Sequence, residues 1–60
     1  MSRRYPKVGD KYREIGAEVS LYVVSIDRIR KEINFSYSEG GTAAVYCKFG
    51  DFPLYWEKVK

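Results

Sequence analysis

The stretch from Glu32 to Ser38 alternates: Ile33, Phe35 and Tyr37 are apolar or aromatic, and Glu32, Asn34, Ser36 and Ser38 between them are polar. A period of two is the mark of a strand with one buried and one wet face. Gly40 and Gly41 end the run, and because glycine tolerates positive φ they can turn the chain back into a further strand, making a hairpin. Thr42 to Phe49 resumes the alternation, with Val45, Cys47 and Phe49 on one face and Tyr46 and Lys48 on the other. Upstream, Val19 to Ile26 is apolar on both faces: Val19, Leu21 and Val23 on one, Tyr22, Val24 and Ile26 on the other. In so short a chain such a strand is expected to bend, so that its halves serve different sides of one core, as happens when a very small barrel closes.

The remaining segments fit around these three. Val8-Gly9-Asp10 reads as a turn, and Lys11 through Tyr12 to Ile15 as a short first strand closed by Gly16. Asp27-Arg28-Ile29-Arg30-Lys31 lies between two β-patterned runs and reads as a hairpin loop with Ile29 at its tip. Asp51-Phe52-Pro53-Leu54 offers a capping residue followed by a proline near the first helical position, so one helical or 3₁₀ turn is expected. Tyr55 to Val59 returns to alternation as a last strand, with Trp56 assigned to the core. The fold class read from these patterns is all-β: a small five-stranded antiparallel SH3-like barrel, with one short helical or 3₁₀ turn before the last strand. Residues 1–7 form a flexible basic N-terminal arm and residues 8–60 the barrel domain in this reading.

Several of these segments carry a resemblance. Val8-Gly9-Asp10-Lys11-Tyr12, the valine-rich second strand and the closing run Asp51 to Val59 resemble short bacterial and phage proteins with SH3-like folds of the KOW and Tudor kind. Over a shorter span, Ile33 to Gly41 is similar to a strand and turn in the Sul7d family of archaeal chromatin proteins, which are SH3-like and bind duplex DNA by inserting apolar side chains. Aligned on Phe35 and Tyr37, that resemblance puts Asp27, Ile29 and Glu32 at the inserting positions, and Ile29 is the one whose chemistry suits insertion.

Composition narrows the chemistry. Sixty residues make a single small domain, without histidine and with one cysteine, so neither a metal site nor an internal disulfide is expected to hold it together. Packing must do that, and 17% aromatic content supplies large side chains to pack. Cys47 has no histidine to activate it and reads as a small buried hydrophobe. Gly40-Gly41 lacks the lysine and helix of a phosphate loop. No catalytic residue, cofactor or small-molecule substrate is therefore expected. With no secretory or membrane-spanning pattern and a lone thiol, the expected setting is cytoplasmic.

Binding remains. The net charge is only +3, yet the cations are grouped. Arg3 and Arg4 lie in the arm, Lys11 and Arg13 on the first strand, and Arg28, Arg30 and Lys31 in one loop. Together with Ile29 and the rings of Tyr22 and Tyr46, they are the candidate contacts to DNA or RNA: cations for phosphates, rings for bases, and the isoleucine as a wedge. The alternative is a protein partner, through six tyrosines, a tryptophan and exposed strand edges. An adaptor, an inhibitor of a larger protein, phage-encoded or otherwise, and a homodimer all belong to that class.

Overall fold

The computed structural model describes residues 6–59 and contains five strands and one helical turn: β1 (Lys11–Glu14), β2 (Ser20–Asp27), β3 (Glu32–Ser36), β4 (Val45–Lys48), α1 (Phe52–Tyr55) and β5 (Trp56–Lys58). All pairings are antiparallel, in one sheet of order β4-β3-β2-β1-β5. The arm residues 1–5 lie outside the described part. Pro6 is buried, and Lys7 and Asp10 close a turn through reciprocal hydrogen bonds, so the packed structure takes in two residues that the sequence reading assigns to the arm.

The sheet curls, and one contact shows how far. β3 and β5 stand three places apart, which in a flat sheet would be roughly 14 Å at about 4.8 Å per strand. The Phe35 and Trp56 rings nevertheless stack with centroids 4.2 Å apart and planes 3° off parallel. Their strands are brought face to face by the roll of the sheet. Phe52 on α1 completes the cluster, stacked at 6.2 Å from Phe35 and edge-on at 4.8 Å to Tyr12. Leu21, Val23 and Ile33 fill the rest of the buried core, with Ile26, Val45, Cys47 and Phe49 packed against it half-buried.

The bend expected in β2 is a bulge. Val23 pairs with Phe35, but Ser25 pairs with Asn34, so Val24 is an extra residue on its strand. That extra residue flips the alternation. Leu21 and Val23 face the core before it, and Ile26, opposite the buried Ile33, returns to the core after it. Strict period two had set Ile26 on the opposite face from Leu21 and Val23; the bulge puts all three to use on one side.

Other local expectations are corrected. Val19 precedes β2 and is 54% exposed, and Ile15 follows β1 and is exposed too, because both fall in the turn that joins these strands. Tyr37 leaves the ladder when β3 ends at Ser36 and is 63% exposed. Ser36 is buried in its place, accepting a hydrogen bond from the Ser38 amide at 3.2 Å beneath the loop. β4 starts at Val45 rather than Thr42, which leaves a long connection where a tight glycine turn was expected. Gly40 does adopt φ 72°, but Gly41 is needed for space: a Cβ there would collide with the hydroxyls of Ser36 and Ser38. Asp51 starts α1 through its backbone, its carbonyl accepting from the Leu54 and Tyr55 amides, while its side chain makes no capping bond.

Candidate functional site

The β2–β3 loop is short and its shape is set by its own hydrogen bonds. The Asp27 carboxylate accepts from the Ile29 and Arg30 amides at 3.0 Å each, tying the loop to the end of β2. Lys31 adopts φ 59°, a left-handed conformation unusual for a side-chain-bearing residue, and closes the turn into β3. The Phe49 amide donates to the Lys31 carbonyl at 2.9 Å and so braces the loop against the end of β4. Ile29 is thereby held at the tip, 93% exposed, with Arg28, Arg30 and Lys31 exposed around it and no ion pair to any of the three among the described residues.

Register adds two residues to this end. Glu32 lies opposite Lys48, and their side chains form an ion pair at 3.0 Å. Tyr46, two residues before Lys48 and hence on the same face, lies opposite Asn34 and is 61% exposed. The loop end therefore carries Arg28, Arg30, Lys31 and Lys48 against Asp27 and Glu32, four cations against two carboxylates, for a net +2. Lys48 was not among the sequence candidates. Its place at this end is identifiable only once the β3–β4 register is known, and the irregular connection between those strands hides that register.

The other candidates are elsewhere. Lys11 and Tyr22 are opposite each other on β1 and β2, with the Lys11 ammonium 5.6 Å from the half-buried ring. Tyr22 is five residues from Asp27 along a bent strand, at most roughly 16 Å at about 3.3 Å per residue. Arg13 is neutralised by Glu57, whose Oε2 accepts from its Nη2 at 2.6 Å and its Nε at 3.1 Å. Arg3 and Arg4 lie outside the described residues. The sequence candidates thus divide into a loop cluster of Arg28, Ile29, Arg30, Lys31 and Tyr46, and a separate, internally paired set of Lys11, Arg13 and Tyr22.

A second feature separates the two edges of the sheet. β4 and β5 approach each other without joining, and between them opens a cleft of about 410 Å³ lined by Val45, Tyr46, Cys47, Tyr55 and Trp56, with Glu14, Lys48 and Asp51 contributing to its walls. Cys47 is half-buried there. Burial pushes its thiol above the ordinary value; a hydrogen bond with Trp56 opposes this, and the carboxylates of Asp51 and Glu14 reinforce it. A raised thiol is a poor nucleophile at neutral pH.

Among the described residues no group of three or more Cys, Asp or Glu side chains is placed to hold a metal ion, and no helix is long and apolar enough to cross a membrane. No family model, curated protein or solved structure matches this chain.

Proposed function

We propose that this protein is a non-enzymatic nucleic-acid-binding module whose contact surface is the β2–β3 hairpin tip. The observation that carries the reading is the presentation of Ile29, 93% exposed, inside a collar of three cations that pair with no described residue, on a loop braced by its own hydrogen bonds. Exposing an isoleucine to water is unfavourable, and ringing it with like charges adds repulsion. A polyanion offsets both, since its phosphates take the cations and a groove or base step takes the apolar tip. Bracing lowers the ordering cost of binding, because the loop is already shaped. Tyr46 and Lys48 extend the surface with a ring that a base can stack on and a cation beside it. Lys11, Arg13 and Tyr22, already paired among themselves and with Glu57, are assigned a supporting role at most.

The test is fluorescence anisotropy with labelled mixed-sequence duplex and single-stranded oligonucleotides over a salt series. Three phosphate contacts give a slope of log K against log salt of about −2.7 on duplex, at about −0.9 per contact. Replacing Arg28, Arg30 and Lys31 together by alanine should remove the slope and lower affinity at about 50 mM salt by roughly a thousandfold, as the same relation implies. No binding at that salt, or binding that the triple variant leaves intact, overturns the proposal.

A further inference from the structure

Two unsatisfied features of this chain complement each other. The hairpin tip is an apolar knob in a cationic collar. The cleft between β4 and β5 is the reverse: Val45, Cys47 and Trp56 line it with apolar surface, Lys48 at its edge is already paired with Glu32, and the carboxylates of Glu14 and Asp51 line it with no described cation paired to them. Neither feature is filled from within. Ile29 is almost wholly in water, held outward by the Asp27 and Phe49 hydrogen bonds, so it does not occupy the cleft of its own chain.

We propose that the cleft receives the hairpin tip of a second copy of this protein. Ile29 of one copy enters the gap between the sheet edges of the next, and the guanidinium groups beside it lie against Glu14 and Asp51. The charge pattern favours this occupant: a purely apolar segment leaves the two carboxylates desolvated and unpaired, and an acidic one is repelled by them. The patches that meet are different ones, so the contact is head-to-tail. Each copy in a pair keeps one free knob and one free cleft, and association continues until a ring closes. One knob in one cleft buries little area, so the contact is weak and concentration-dependent. It uses the same loop as the nucleic-acid reading without depending on it, and a bound polyanion competes with it.

Sedimentation equilibrium without nucleic acid, over a wide protein concentration range at low salt, tests this. The wild-type average mass should climb past that of a dimer and fall back as salt is added. Ile29→Asp removes the knob and Glu14→Lys with Asp51→Lys inverts the cleft, and each variant alone should remain monomeric. Mixed, they should form a one-to-one pair and nothing larger, since each supplies the half the other lacks. All three substitutions fall on exposed positions, and circular dichroism confirms that the variants fold. A wild-type protein that stays monomeric at every concentration, a salt-insensitive symmetric dimer, or a mixture of folded variants that does not pair overturns the proposal. Oligonucleotide affinity of the wild-type protein, measured at concentrations below its association range, reports on the nucleic-acid reading separately, because the two lysines of the cleft variant add phosphate contacts of their own.

Discussion

The two connections that leave β3 use one device for opposite ends. At its start, the Asp27 carboxylate accepts two loop amides and the β2–β3 turn stands out from the sheet, carrying charge into solvent. At its finish, the Ser36 hydroxyl accepts the Ser38 amide, but here the acceptor is buried and the loop folds back over it, with Gly41 packed so closely that a side chain there would have to displace the Ser36 and Ser38 hydroxyls. In both a side-chain oxygen replaces a backbone acceptor and fixes the turn. They differ in what is spent on stability. The β3–β4 loop covers the end of the sheet and belongs to the core's envelope, whereas the β2–β3 loop covers nothing and is free to serve contact.

The sharpest way to break this contrast is Gly41→Val. A branched side chain has to push aside the Ser38 hydroxyl and the buried Ser36 hydroxyl that holds the Ser38 amide, so about 1–3 kcal/mol of destabilisation is expected. At about 4–8 °C per kcal/mol for a domain of this size, thermal melting should show it plainly. Oligonucleotide affinity of the folded fraction should not move. If the variant melts like wild type, the β3–β4 loop is no more structural than its counterpart and the distinction fails.

That contrast was only half legible in the sequence. The strands were, because Ile33 and Phe35 on β3, and Val45 and Cys47 on β4 with Phe49 just after it, keep strict alternation, and each pattern matches the face that packs. The tip was as well, since an isoleucine among three cations between two β-patterned runs has few other readings. Two things hid the rest. Period two continues through Tyr37 on paper, but the ladder stops at Ser36, and a serine buried for its hydroxyl bears no hydrophobic signal. The Val24 bulge likewise inverts the phase of β2 midway, and a run apolar on both faces does not say where the inversion falls. The cleft was invisible for a simpler reason: Glu14, Cys47 and Trp56 meet only when the sheet rolls.

Asp27→Ala sharpens the comparison from the other side, with a smaller effect. Loss of the acceptor frees two amides, but they are in water and can bond to it, so about 1 kcal/mol or less is expected, near the value of an ordinary capping oxygen. The larger change should be in the loop's order. Amide hydrogen exchange at Ile29 and Arg30 should quicken, while that of β3 stays as it was. Binding should respond to two opposed terms, a lost local anion and a lost loop shape. A weaker affinity at unchanged salt slope would assign the greater share to shape.

Lys31→Gly should have the smallest effect on stability and the most informative sign. At φ 59° a lysine pays about 1–2 kcal/mol that glycine does not, while glycine adds about 0.5–1 kcal/mol of unfolded-chain entropy to be lost on folding. The difference favours the variant by a few tenths to about 1 kcal/mol, read as a slightly raised melting temperature. The same change removes one exposed cation from the tip, so the salt slope of oligonucleotide binding should shrink by about one unit. Stability and affinity then move in opposite directions at a single residue, the behaviour expected where a strained conformation is kept for what it presents to a ligand. A variant that gains stability with no loss of affinity would mean that Lys31 shapes the turn and contacts nothing, which narrows the surface to Arg28, Ile29 and Arg30.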